Sequence, residues 1–268
     1  MPTRSRLSLP FLIPLLLACI ALLALTASLL GGFPTGRIKA APYTDTSADL
    51  PAEGTENPPP IACIVIDAGH GGEDGGTSSA AGVLEKDLNL SVAFALRNLL
   101  EVAGVPVVMT RTEDKLLYDR GVDFHGRKKV LDLAARRLIA EKVAAEAQQS
   151  GGVSLFISIH MNAFPRPQYS GMQVWYGTGH PLSAEVAGSI QAASVAVMPE
   201  NHSQIKAAGS NIYLLDRIKS PAVLVECGFL SNPAEAEKLA REDYRHTLAA
   251  LIFGAVAEHT VPHTSTAP

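Results

Sequence analysis

The sequence predicts an α/β domain with helices on both faces of a mainly parallel sheet. Three observations carry this expectation. Short apolar runs rich in β-branched residues alternate with longer segments of helical period from residue 61 to 258. The first run, the helix after it and the second run form one βαβ unit, for which parallel pairing is the default. Residues able to do chemistry gather at the carboxyl ends of the strand candidates, the edge where open α/β sheets place their sites.

Ile61-Ala-Cys-Ile-Val-Ile-Asp67 reads as a buried strand that stops at Ala68-Gly-His70-Gly-Gly-Glu-Asp-Gly-Gly76. The glycines of this loop keep side chains clear and let the backbone fold close to a ligand, with His70 held among them. Leu88, Val92, Ala95, Leu96, Leu99 and Ala103 then make one apolar helical face that ends at Gly104. Val105-Pro-Val-Val-Met-Thr110 is the second strand, and the chain from Arg111 to Gly126 is polar and irregular. A long helix is expected from about Arg127 to Gln149, with Leu131, Ala135, Ile139 and Val143 stepping by four. Val153-Ser-Leu-Phe-Ile-Ser-Ile159 is the third strand and delivers His160 at its end. Gly171–Tyr176, Asn211–Leu215 and Ala222–Glu226 complete the strand candidates. Val186, Ile190 and Ala193 mark a further helix. Asn232, Pro233 and Glu235 supply a cap, a first-turn proline and a first-turn acid for the next one. The last helix runs from about Tyr244 to Ala257, apolar at Leu248, Leu251, Ile252 and Ala255.

At 268 residues and 47% hydrophobic content, one core-forming domain with appendages is expected. A net charge of −4 and 6% aromatic residues argue against a nucleic-acid surface. Arg4 and Arg6 precede an apolar run from Leu7 to Leu30, so residues 1–33 read as a membrane anchor or signal peptide and the rest as exported. Leu16-Leu17-Ala18-Cys19 resembles a lipoprotein cleavage box, but the chain stays apolar well past Cys19, which argues against lipidation. Residues 34–60 hold six prolines and form a Pro-rich linker; residues 259–268 are expected to be a disordered tail. Cys63 and Cys227 read as buried small hydrophobes, with a bridge between them left open.

His70 follows the first strand, His160 ends the third, Glu226 ends a late one, and Glu85 sits on the loop before the first helix. Two histidines and a carboxylate at one rim match the ligand set of a catalytic zinc, and the remaining carboxylate could serve as general base. A dinucleotide-binding reading fails because Gly-X-Gly-X-X-Gly is not met. His70-Gly-Gly-Glu73 has the His-X-X-Glu spacing of zinc carboxypeptidases, which would make Glu73 the ligand instead of Glu85. The sequence contains no His-Glu-X-X-His. Cys227 is a poor nucleophile candidate, because an apolar strand raises a thiol's pKa.

Ile64-Val-Ile-Asp-Ala-Gly-His70-Gly-Gly, Leu84-Glu85-Lys-Asp, Ser158-Ile-His160-Met-Asn162-Ala and Val225-Glu226-Cys-Gly-Phe-Leu-Ser-Asn232 together resemble the zinc-dependent type 3 N-acetylmuramoyl-L-alanine amidases. The resemblance covers about residues 61–258 and implies a twisted, mostly parallel sheet of about six strands. It implies one zinc ion per chain held by His70, Glu85 and His160, with Glu226 as the catalytic carboxylate and Glu73 as a variable loop residue. The reaction implied is hydrolysis of the amide between the lactyl group of muramic acid and L-alanine of the stem peptide. Within that family the chain is most similar to the germination-type amidases of endospore formers. An extracytoplasmic enzyme acting on peptidoglycan of the wall or spore cortex follows, tied to the membrane through its N-terminus. About ten residues separate His160 from the next strand, too few for the inhibitory helix of some family members, so control would fall to a protein partner, to localisation or to the state of the wall. Asp67 and Asn162 are candidates for supporting the ligand histidines or contacting substrate. The other readings are an inactive peptidoglycan-binding or scaffolding domain of the same fold and a carboxypeptidase-like peptidase. His125, His180, His202, His246, His259 and His263 fall outside every motif.

Overall fold

The computed structural model describes residues 59–118, 121 and 126–260. The N-terminal apolar run, nearly all of the Pro-rich linker, His125, His263 and the rest of the C-terminal tail lie outside the described residues. No helix among the described residues is long and apolar enough to cross a membrane.

In chain order the elements are β1 (Ile61–Ala68), α1 (Glu85–Val102), β2 (Val107–Met109), α2 (Lys128–Gln149), β3 (Val153–Asn162), β4 (Gln173–Tyr176), α3 (Leu182–Val197), β5 (Lys206–Ala207), α4 (Tyr213–Arg217), β6 (Ala222–Phe229), α5 (Pro233–Ala240) and α6 (Glu242–Ala257). The six strands form one sheet in the order β2-β1-β3-β6-β4-β5. Strands β2, β1, β3 and β6 are mutually parallel, and β4 runs antiparallel to β6. The expected six-stranded, mostly parallel sheet is therefore present. Helices α1, α3 and α6 bury one face, through Leu96, Ile190 and Ile252 among others. The opposite face carries α2 and α4, packed around Val65, Phe156 and Leu224.

The sixth strand is not the one the sequence suggested. Asn211–Leu215 forms no strand; the chain turns into the short helix α4 instead. Leu214, Leu215 and Ile218 are buried together, and their spacing suits a helical turn whereas a strand would need strict alternation. The sixth strand is the two-residue β5, exposed at the sheet edge, where a lysine discourages further pairing.

Helix α2 is turned differently from its apolar pattern. Its buried stripe is Asp132, Arg136, Ala140, Val143 and Ala147, one position round from Leu131, Ala135 and Ile139. The cause is an ion-pair chain inside the protein. Asp67 Oδ1 lies 2.7 Å from Arg136 Nη1, and Arg136 Nε lies 2.7 Å from Asp132 Oδ2. Burial opposes the charges of Asp67 and Arg136. Nevertheless Arg136 and the hydroxyls of Ser158 and Thr110 hold the Asp67 carboxyl below the usual range, while the two aspartates raise the Arg136 pKa. The α5 start is built as expected: the Asn232 side chain accepts from Ala234 N and Glu235 N, with Pro233 in the first turn. Glu235 turns inward to bind Gly171 N at 2.9 Å and Phe229 N at 2.8 Å.

Cys63 and Cys227 are both free. Cys63 packs on the α2 face and Cys227 on the α1 face, with β3 between their strands, so no bridge can form. His259 Nε2 lies 3.0 Å from Ser189 Oγ, and Thr260 bridges to Ile61.

Breaking the buried ion pair from one side leaves an uncompensated charge. Asp67→Ala is expected to lower unfolding free energy by about 3–5 kcal/mol. Urea unfolding checks this; a loss comparable to that of an exposed ion pair would show that Arg136 finds another partner.

Candidate active site

The β1 strand ends in a conformation that needs outside support. His70 adopts φ 62°, in the left-handed region, and Gly71, Gly72 and Gly76 also have positive φ. Backbone carbonyls in such a loop cannot join the sheet ladder, so side chains accept that role. Arg136 donates to Ala68 O at 2.8 Å and His70 O at 2.6 Å. Arg111, buried after β2, donates to Ala68 O at 2.8 Å, Gly69 O at 3.0 Å and Lys86 O at 2.8 Å. Asn89 of α1 donates to Gly69 O at 3.1 Å.

Held in this way, His70 meets Glu85 and His160. Glu85 is the first residue of α1 and not part of the preceding loop, so its carboxylate sits at the positive end of the helix. Its Oε1 lies 3.3 Å from His70 Nε2 and 2.9 Å from His160 Nδ1, and accepts Met161 N at 3.1 Å. Its Oε2 accepts Thr77 N at 2.8 Å. Burial opposes ionisation of Glu85, but the two imidazoles outweigh it and hold the carboxyl far below the usual range. His70 Nδ1 faces Asp74 Oδ2 at 3.0 Å, an ion-pair distance without hydrogen-bond alignment. Burial works against a charge on His70, and the carboxylates of Glu85 and Asp74 raise its pKa in spite of it.

Two glycines make the convergence possible. A Cβ on Gly69 would lie 2.3 Å from His160 Nε2, and one on Gly76 would lie 2.4 Å from Glu85 Oε2 and 2.8 Å from His70 Cδ2. Neither position has room for any side chain.

One donor atom each from His70, Glu85 and His160 lies within 4.8 Å of the other two. Three lone-pair donors facing one another repel unless a proton or cation lies between them. A tetrahedral divalent cation with N and O ligands at about 2.0–2.2 Å satisfies all three and leaves a fourth position open. The donor set fits zinc.

Glu226 is the register partner of His160 on the adjacent strand, so both side chains project from the same face. Its Oε2 is buried and has no hydrogen-bond partner among the described residues. Burial, with the Glu85 charge adding to it, pushes the Glu226 carboxyl up to about 7 against the pull of the two histidines. Burial likewise raises the Cys227 thiol pKa, which leaves it inert as a nucleophile at neutral pH.

The other candidates lie elsewhere. Glu73 is exposed and pairs with Lys128 Nζ at 2.7 Å, away from the donor cluster. Asp67 makes no hydrogen bond to either imidazole. It accepts from Thr110, Ser158 and Arg136, and so acts on His70 only through the arginine that holds its carbonyl. Asn162 is half-buried at the end of β3, with no side-chain hydrogen bond to a described residue. Arg111, Arg136, Asp132 and Asp74 were missing from the sequence reading. The one signal available was the i, i+4 pair Asp132/Arg136, which on most helices marks a solvated face. Beside the two histidines on the α2 side, a cavity of about 200 Å³ is lined by Asp74, Lys129, Leu133 and Tyr213.

Residues 64–258 match the family described as N-acetylmuramoyl-L-alanine amidase. The chain belongs to that family. It is 36% identical to the germination-specific N-acetylmuramoyl-L-alanine amidase of Bacillus subtilis, over 73% of this chain and 78% of the relative. Among solved structures it resembles the CwlD amidase of Clostridioides difficile, in a complex with the GerS lipoprotein, at 33% identity and TM-score 0.65, covering 74% of this chain and 98% of that one. The catalytic domain of the CwlV amidase of Bacillus (Paenibacillus) polymyxa is similar at 26% identity and TM-score 0.60, over 74% of this chain and 97% of that one. The chain shares its mostly parallel α/β fold with those amidases.

Two outcomes are expected here. Glu85→Ala removes metal binding while Glu73→Ala keeps it; elemental analysis of the two purified chains checks this, and the reverse pattern would reassign the ligands. The second concerns pH. A carboxyl whose pKa is raised by folding contributes stability below its unfolded value and loses it as pH rises through the folded value. Chelator-treated protein should therefore lose stability between about pH 4.5 and 7, and Glu226→Gln should be the more stable protein at pH 8 by about 1–2 kcal/mol, allowing for partial exposure. Melting curves across pH test it; parallel curves for the two proteins would refute it.

Proposed function

We propose that this amidase-family chain is a zinc-dependent hydrolase of peptidoglycan. The bond cleaved joins the lactyl carbonyl of N-acetylmuramic acid to the amino group of L-alanine in the stem peptide. Four side chains meeting at one sheet edge carry this reading: three donors that match a zinc ion and one unpartnered, basic carboxylate beside them.

His70, Glu85 and His160 hold the ion, one per chain. When bound, zinc supplies a Lewis acid for the scissile carbonyl and lowers the pKa of water to about 7. The Asp74 carboxylate lies 3.0 Å from the far ring nitrogen of His70 and favours a charge on it, while Thr77 N and Asn89 orient the Glu85 carboxylate. Glu226 takes the proton of the attacking water. It then delivers that proton to the alanine nitrogen, which departs as a neutral amine. Burial without a partner suits Glu226 to this shuttle, because its proton affinity lies near neutral pH and no hydrogen bond must be broken first.

The site of action is outside the cytoplasm, with residues 1–33 as an anchor or export signal and residues 34–60 as the linker. Similarity to the germination-specific amidase supports spore cortex as the substrate. The C. difficile amidase structure includes a lipoprotein, and an activating protein partner of that kind is proposed for this chain as well. The ten residues between β3 and β4 contain no helix that could block the site from within.

Mass spectrometry of muropeptides after digestion tests the bond assignment: free stem peptides beginning with L-alanine are expected, and cleavage within the peptide would overturn it. Glu226→Gln is expected to keep its zinc while losing about 10²–10⁴-fold in peptide release. Zinc content and release measured on one sample check this, and near-normal turnover would remove Glu226 from the mechanism.

A further inference from the structure

The loop 163–172, between β3 and β4, carries an aromatic ladder that the chemistry above does not use. Phe164 is 46% and Tyr169 44% exposed, the two aromatic residues among the exposed large hydrophobics of the described chain. Their ring centroids are 4.7 Å apart at an interplanar angle of 72°. Tyr169 in turn stacks on the buried Phe229, at 6.2 Å and 29°. The loop is fixed in place. Phe164 N donates to Ser231 Oγ at 3.0 Å, Asn232 Nδ2 to Tyr169 O at 3.2 Å, and Gly171 N to Glu235 at 2.9 Å. Pro165 and Pro167 stiffen it further.

The ladder rises beside the reacting groups. Phe164 lies two residues beyond the end of β3, four past His160, and Phe229 is the last residue of β6, three past Glu226. Ser231 also lines an adjacent cavity of about 460 Å³, together with Ser78, Ser79, Leu230 and Pro233. Leu230 and Val83 place that cavity on the α1 side of the sheet. The 200 Å³ cavity with Lys129 lies among Leu133, Leu214 and Leu224 on the α2 side.

We infer that Phe164 and Tyr169, with the serine-lined cavity beside them, form a binding platform for the glycan strand of the substrate. This inference rests on the amidase reading. A pyranose ring offers a face of C–H groups that stacks on an aromatic ring, and a rim of hydroxyl and acetamido groups that hydrogen-bonds to hydroxyls and amides. The platform supplies both: two exposed rings, and the hydroxyls of Ser231 and, in the adjoining cavity, Ser78 and Ser79. The scissile amide joins a neutral sugar to a peptide bearing carboxylates, so the two parts must leave the site in different directions. The α2-side cavity is charged, with Lys129 Nζ 3.4 Å from Asp74 Oδ2, whereas the exposed rings of the loop suit the face of a sugar.

The test uses the full chain with Phe164→Ser, Tyr169→Ser, the double variant and the conservative Tyr169→Phe. Binding is measured to glycan strands stripped of peptide, and turnover on peptidoglycan and on a single muramoyl-peptide. The double variant should lose about tenfold in affinity for stripped strands, the scale of one lost ring stack. Its KM on peptidoglycan and on the single muramoyl-peptide should rise while kcat stays within about twofold. Tyr169→Phe should behave as the parent chain. If the double variant melts early, Phe164→Ser alone decides, because its ring is the more exposed. Unchanged strand affinity overturns the platform, as does a defect seen only in binding a protein partner. A parent chain that binds stripped strands through these rings yet releases no peptide supports the platform and refutes the hydrolase reading instead.

Discussion

The Arg136 guanidinium is the constraint on which the sheet edge depends. It is 1% exposed and spans Asp67, Asp132 and the carbonyls of Ala68 and His70. A buried cation of this kind is tolerated only when its donors are matched, and here acceptors from β1, its following loop and α2 supply the match. The same bonds that neutralise the arginine hold His70 in a left-handed conformation that the backbone would otherwise leave. Stability of the core and geometry of the site are thus two results of one network.

Two carboxylates illustrate how environment divides chemical labour. Glu85 and Glu226 sit at the same rim, but one is surrounded by two imidazoles and two backbone N–H groups while the other has no partner on Oε2. The first is held as a carboxylate, and the second is pushed toward accepting a proton near neutral pH. Carboxyls pushed apart in this way mark which one binds charge and which one moves protons. The glycines at 69 and 76 are the steric counterpart, because any side chain there would occupy the volume of an imidazole or of Glu85 itself.

The edge of the sheet also separates substrate chemistry by face. Charge, in the form of Asp74 and Lys129, lies on the α2 side. Serine hydroxyls lie on the α1 side together with Glu237, and rings belong to the loop between β3 and β4. Both ligand-candidate histidines line the α2-side cavity, whereas the serine-lined cavity contains none of the four rim residues.

The amino-acid sequence by itself determined the alternation of strands and helices, the parallel core of the sheet, and His70, His160 and Glu226 at strand ends, while the choice of Glu85 over Glu73 came from the resemblance of the motifs to a family. These were legible because period, β-branching and strand-terminal position are properties of neighbouring residues. What only the tertiary structure decided was which groups face each other across long separations. Helix α2 turned its Asp132/Arg136 stripe inward, against its own apolar pattern, because Arg136 pairs with Asp67, 69 residues away. Asn211–Leu215 became the approach to a helix because its apolar residues fit the α2 side of the core and β5 takes the sheet edge. Asp67 supports the arginine and not an imidazole for the same reason. Local pattern records what a segment can form, whereas the burial of a charge is settled by the partner that folding brings to it.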